Sequence, residues 1–324
     1  MVVGKKVMQK LRLYSFTLVA LLWLSAGFTT SYHHKLTPIP IGIPEGIARS
    51  SVLDHPSPTI HHLPSGSRFG IIHGIEQDSL LYANGYRFVE ENTQQKFSPL
   101  NLSRTQFLSR LEKMRAARCS VYAVNVFLPG SLKLVGPQVN ENAILEYVDS
   151  VFHRCREAGV RIVVLGSGEA RKIPEEFDRS VAMRQMVQIL GKMGPLAAAQ
   201  GITVAMENLN RGETNLGNTL KEVTGIIQQV NHPSVRVTAD IFHMLKEDET
   251  AESIRLAGNL LVHCHIAEER DRARPGRYGE DFRPYFSALK DIGFSGKIMM
   301  ECGWTDLRTE AGPALEYLER QWEK

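Results

Sequence analysis

Four ionisable residues stand at or just past the ends of four successive apolar runs. Glu207 closes "ITVAME", Asp240 closes "VRVTAD", His265 falls near the end of "LLVHCHI", and Glu301 follows "KIMM". Three carboxylates and one imidazole make a hard, oxygen-rich donor set. Such a set suits one divalent ion (Mn²⁺, Co²⁺ or Mg²⁺) better than a thiolate-seeking metal. A single acid at a strand end is accounted for as a helix cap or an ion-pair partner. Four at matching positions are not, because clustered carboxylates without a cation repel one another. In a strand, residues two apart share a face, so His263 and His265 point to the same side. His265, nearer the strand end, is the expected ligand. His263, one layer deeper, is expected to be a hydrogen-bonded core residue. Cys264 and Cys302 alternate with His265 and Glu301 and should face away from them.

The elements that position these groups follow from periodicity. From Phe69 onward, short β-rich runs such as "FGIIHG", "YRFVEE", "VYAVNVF" and "RIVVLGS" alternate with longer helical stretches, including 104–115, 143–158, 181–199 and 282–292. The runs are continuously apolar, as expected of a parallel sheet buried on both faces. Eight strand-helix units over residues 67–324 predict a single α/β domain, a (β/α)8 TIM barrel. A doubly wound open sheet is the alternative, but no glycine-rich phosphate fingerprint follows the first run. Barrel chemistry sits at the C-terminal strand ends, where the four candidate ligands fall. Glu90, at the end of the second run, has two readings: it reaches the pocket, or it supports or caps a neighbour. "SVFHRCREAG" and the methionines over 183–193 read as helix surface facing the core.

Composition is that of an ordinary globular chain: 324 residues, 43% hydrophobic and 23% charged. The formal charge of +3 owes four cations to the first 31 residues, which hold no acid, so the remainder carries −1. A nearly neutral body argues against nucleic acid as a partner. Residues 1–30, a basic stretch followed by "LYSFTLVALLWLSAGF", read as a signal peptide with cleavage after Gly27. Export to the periplasm or the extracellular space is expected, with no stable membrane insertion after processing. The alternative is an uncleaved anchor, since residues 13–32 are uncharged and barely long enough to span. Residues 31–66, rich in Pro, His and Ser, read as a linker or arm whose histidines (His33, His34, His61 and His62) are solvated. The four cysteines form no CxxC pair, and no structural disulfide is expected.

Further motifs, "VLGSGEARKIPEEFD", "MENLNRGETNLGNTL", "DIFHM", "HIAEERDRARPGRYGEDF" and "GFSGKIMMECGW", resemble those of the xylose isomerase-like barrels. Within that group the sugar phosphate isomerases/epimerases, and the ketose 3-epimerases (tagatose and psicose epimerases) in particular, look closest. The resemblance runs from about Phe69 to about Trp304. It implies that Glu207, Asp240, His265 and Glu301 hold the metal and that Glu207 and Glu301 are the acid/base pair. It also implies that Glu213 lies near the substrate's carbonyl end, that His243 contacts the sugar, and that Arg272 binds substrate. "HIAEERDR" has one residue more between histidine and arginine than those epimerases, so Arg270 competes with Arg272. The trinuclear apurinic endonucleases of the endonuclease IV type share the barrel, but their additional ligands are missing here.

Moving a proton on a carbon next to a carbonyl needs a base, a cation to hold the enediolate, and an acid on the other face. The expected activity is isomerisation or epimerisation of a free ketose or a related sugar. Export and the lack of a phosphate cradle favour an unphosphorylated substrate. A lyase or dehydratase of the same fold and a non-catalytic sugar-binding barrel are the alternatives, and a homo-oligomeric state is left open. The two histidines give the first prediction: His265→Ala should abolish divalent-ion binding while His263→Ala retains it, read as metal content of the purified protein. Equal loss from both would sink the assignment.

Overall fold

The computed structural model describes residues 68–324, so the expected signal segment and arm lie outside the described residues, as do His33, His34, His61 and His62. Eight strands close in sequence order: β1 (Phe69–Ile72), β2 (Phe88–Asn92), β3 (Ser120–Asn125), β4 (Ile162–Leu165), β5 (Thr203–Glu207), β6 (Val235–Asp240), β7 (Leu261–Ile266) and β8 (Ile298–Met300). All neighbours are parallel, and β1 pairs with β8 to complete the TIM barrel that the alternation predicts. Parallel neighbours require long crossovers. The four helices singled out in the sequence form over Arg104–Ala116, Glu141–Ala158, Arg179–Gln200 and Arg283–Asp291.

Local chemistry sets the helix limits. Ser103 and Gln106 form a capping box, and the Asn140 and Asp178 side chains accept from the backbone N–H groups of Ala143 and Val181. Gly159 and Gly201, at φ 77° and 67°, end two of these helices in the left-handed conformation that favours glycine. Arg154 departs from the reading of its helix as plain core-facing surface. It is buried, and its guanidinium donates to the carbonyls of Phe97, Ser98 and Leu102, tying the helix to the loop after β2.

Alternation divides each strand between two cores. Val163, Leu165, Val204 and Met206 join the large apolar layer against the helices. Ala123, Ile162, Val164 and Ala205 form a separate small cluster, which the period of two assigns to the barrel interior. Cys264 packs into the outer layer, opposite in sense to His265, and all four cysteines are free. The ladder shifts register between Val89 and Glu90 on β2 and between Val237 and Thr238 on β6. The second shift inserts Val262 and sets Thr238 beside His263 and Asp240 beside His265. Among the described residues no helix is long and apolar enough to cross a membrane.

Closure between β7 and β8 demands a tight approach at Gly296, where any Cβ would be driven into the Val262 carbonyl and the Phe294 ring. Backbone cannot swing aside as a side chain does. Gly296→Ala should therefore cost about 1–3 kcal/mol, read as a lower urea midpoint at unchanged slope.

Candidate active site

The strand ends bring the four expected ligands to one place. Glu207 and Asp240 close β5 and β6, and His265 is the penultimate residue of β7. Glu301 lies one residue past β8, and its N–H donates to the Ile266 carbonyl at 3.0 Å, carrying the ladder one step further. One ligand atom from each of the four lies within 4.8 Å of the others. His265 Nδ1 is 2.6 Å from Glu207 Oε1 and 2.9 Å from Glu301 Oε2. Asp240 Oδ1 accepts the N–H of His243 at 3.2 Å, which caps the helix Ile241–Lys246. Asp240 Oδ2 is buried without a hydrogen-bond partner, whereas Glu301 Oε2 lies within ion-pair distance of both His265 and Arg272. An orphaned Asp240 oxygen and two further carboxylates gathered on one imidazole fit a hard divalent cation, which Glu207, Asp240, His265 and Glu301 would hold.

Charge here is tightly managed. Burial, then the Glu207 and Glu301 charges, raise Asp240 well above the usual carboxylate range. Burial pushes Glu301 the same way, but His265 and Arg272 outweigh it and hold the carboxyl down to about 2. Burial works against a charged His265, yet Glu90, Glu207 and Glu301 raise it well above the ordinary imidazole range. Glu90 lies across the barrel, fully buried and held down to about 2, because His265 and His263 overcome the burial that opposes them.

His243 is a neutral donor. The Asn210 N–H, which can only donate, meets Nδ1 at 3.2 Å, so the ring hydrogen sits on Nε2. Nε2 is buried, has no hydrogen-bond partner, and lies 3.5 Å from Asp240 Oδ2 and 3.8 Å from Glu213 Oε1. Burial, then the Arg272 charge, pushes the imidazole down to about 3.

Of the two competing arginines, Arg272 enters the site. Its guanidinium is 3.0 Å from Glu301 Oε2, 3.6 Å from Asp240 Oδ2 and 3.3 Å from Glu213 Oε1, and it stacks over Phe242 at 4.7 Å. Arg270 is largely exposed and lies over Tyr278 instead. Asp271 and Arg272 are consecutive left-handed residues at φ 61° and 47°, a strained turn that aims Arg272 inward. Buried Glu268 holds that loop, accepting from the N–H groups of Gly276, Tyr278, Gly279 and Glu280. The Glu268 acid before a glycine-rich loop is a signal the sequence reading passed over.

A cavity of about 430 Å³ opens beside Glu207 and Glu301, with Val126, Leu128, Pro129 and Leu209 on its apolar wall. That volume suits a small molecule. Asn125, on β3, lines it and has a buried, unpartnered Oδ1. Nothing in its local sequence marks it; only the closed barrel brings it there. The "GSG" at 166–168 serves packing: a Cβ on Gly166 would strike Glu207 Oε2, and one on Gly168 the Glu213 carbonyl. Beneath it, fully buried Arg171 donates to the Glu207 carbonyl at 2.7 Å.

A family model described as xylose isomerase-like TIM barrel matches residues 79–321. The D-psicose 3-epimerase of Ruminiclostridium cellulolyticum is 32% identical over 168 residues, which cover 51% of this chain and 57% of that protein. The L-ribulose 3-epimerase of Methylomonas sp. is 31% identical over 184 residues, covering 51% and 62%. The chain thus spans less than two thirds of the length of these relatives. A crystal structure of D-psicose 3-epimerase with D-tagatose from Clostridium cellulolyticum H10 shares the fold, with TM-score 0.68 at 24% identity over 79% of this chain and 99% of that chain.

His243 makes acid stability a test of this geometry. An unfolded chain binds a proton at its imidazole below about 6.5, whereas the folded site refuses it until about 3. Its contribution is therefore fully present above pH 6.5 and lost as pH falls towards 3. His243→Asn should flatten the decline of unfolding free energy across that window, measured by urea titration at several pH values. An unchanged slope would contradict the neutral assignment.

Proposed function

This chain belongs to the xylose isomerase-like TIM-barrel family, and from that premise we propose that it is a divalent-metal-dependent sugar isomerase or epimerase. It moves a proton at the carbon beside a carbonyl of a free ketose or related sugar. The observation that carries this reading is the pair Glu207 and Glu301, which approach one imidazole nitrogen from strands β5 and β8 at 2.6 and 2.9 Å. Binding alone does not call for two such carboxylates flanking a pocket.

A divalent ion held by Glu207, Asp240, His265 and Glu301 would polarise the substrate carbonyl and offset the charge of an enediolate. The chain's own groups do the rest. One of Glu207 and Glu301 takes the proton from one face of the sugar, and the other returns a proton to the opposite face. Without an ion, the charges of His265 and Arg272 outweigh burial and hold Glu301 as a carboxylate, the form that acts as a base. The His243 Nε2–H and the Arg272 guanidinium donate to sugar oxygens, with Glu213 holding the arginine in place. Asn125 Oδ1 is free to accept from a hydroxyl further along the substrate.

The names of the two relatives, a psicose and a ribulose 3-epimerase, support a ketose as the substrate class. The expected export signal favours an unphosphorylated sugar or a keto-glycoside, as does the role of the "GSG" turn in packing. With Mn²⁺ added in deuterated water, turnover of a panel of free ketoses should place deuterium on the substrate carbon. Glu207→Gln and Glu301→Gln should each lower kcat/KM by about 10²–10⁴. Turnover without exchange would eliminate enediolate chemistry, and a product lighter by one water would identify a dehydratase. An ion-loaded protein silent on the whole panel would favour the binding barrel.

A further inference from the structure

β2 and β7 are not neighbours in the barrel, yet Glu90 on β2 reaches both histidines of β7 through the interior. Its Oε2 is 2.7 Å from His263 Nε2, and its Oε1 is 3.1 Å from His265 Nε2. The two imidazole planes stand at 82° with centroids 5.0 Å apart, so both Nε2 atoms converge on one carboxylate. All three side chains are fully buried, which leaves no bulk water to choose their hydrogen positions. An ionised carboxylate only accepts hydrogen bonds, so each Nε2 that binds it carries a hydrogen.

The consequence for His265 is specific. A neutral imidazole has one N–H and one lone pair. His265 Nδ1 also faces carboxylates, 2.6 Å from Glu207 and 2.9 Å from Glu301, so without an ion it too carries a hydrogen. A bound cation would take that hydrogen's place, and the hydrogen held at Nε2 by Glu90 makes Nδ1 the nitrogen that faces the ion. His263 has nothing comparable to offer. Its Nδ1 is buried without a partner, and its ring stacks on Tyr122 with centroids 5.8 Å apart. His263 therefore acts as a tether on Glu90.

We propose that Glu90 is a positioning residue that fixes the tautomer and ring plane of His265, and so sets the affinity of the site for its divalent ion. This rests on the divalent-ion reading above. Glu90→Gln is the informative change, because an amide has one acceptor oxygen and a donor NH2 and can satisfy only one of the two Nε2–H groups.

Titration calorimetry with Mn²⁺ should show binding weakened about 10- to 100-fold in Glu90→Gln. In ¹⁵N NMR of the Mg²⁺-loaded protein, His265 should be protonated at Nε2 alone in wild type and lose that single form in the variant. A purely structural role would lower the melting temperature but leave both the Mn²⁺ affinity and the His265 tautomer of the folded variant unchanged; that result would overturn the proposal. If Glu90→Gln does not fold, the spectrum of the Mg²⁺-loaded wild type decides: hydrogen on Nε2 alone supports the role, and hydrogen on Nδ1 refutes it. Wild-type protein that takes up no Mn²⁺ would overturn the divalent-ion reading and this inference with it. Wild type that binds while the variant matches it overturns the role of Glu90 alone.

Discussion

Mutual repulsion among Glu207, Asp240 and Glu301 is the constraint around which the site is built. Their nearest oxygens lie within 4.8 Å of one another and are largely withdrawn from water. At an effective dielectric constant of about 20, each pair of full charges at that separation costs about 3–4 kcal/mol. The surroundings answer with positive charge on every side: His265 between the carboxylates, Arg272 above them, and Arg171 beneath the end of β5. Asp240 shows that the compensation is incomplete, since its proton affinity rises and its Oδ2 lacks a donor. A site strained in this direction calls for a cation.

Only a rigid frame can hold like charges so close. The closed parallel barrel supplies it, because every strand is paired on both sides and the carboxylates are attached where the ladders end. Asn208 reinforces the frame, with its side-chain amide accepting from the Asp240 N–H and donating to the Asp240 carbonyl. The loop after β7 works by a different device. Glu268 gathers four backbone N–H groups, and the left-handed pair Asp271 and Arg272 turns one arginine inward while its neighbour Arg270 stays outside.

Within that frame the groups divide their duties by charge state. His243 is kept neutral so that it can donate from Nε2, whereas Glu301 is kept ionised by the cations beside it. Glu90 links the rim of carboxylates and His265 to the interior below. This connection between β2 and β7 ties His265 at the rim to a residue one layer down.

The barrel was legible from local pattern, since apolar runs and helical stretches are written by neighbours in the chain. The same logic placed Glu207, Asp240, His265 and Glu301 at strand ends and separated His265 from Cys264 by alternation. What tertiary structure decided were contacts between residues distant in sequence. Glu90 and His263 stand 173 positions apart, so the sequence left Glu90 with two readings. Between Arg270 and Arg272 no spacing rule chose, because a strained turn set the direction. Asn125 carried no signal, because its open oxygen exists only after the barrel closes around it. Periodicity reports which face a side chain takes, whereas register, bulges and closure determine what waits on the other side.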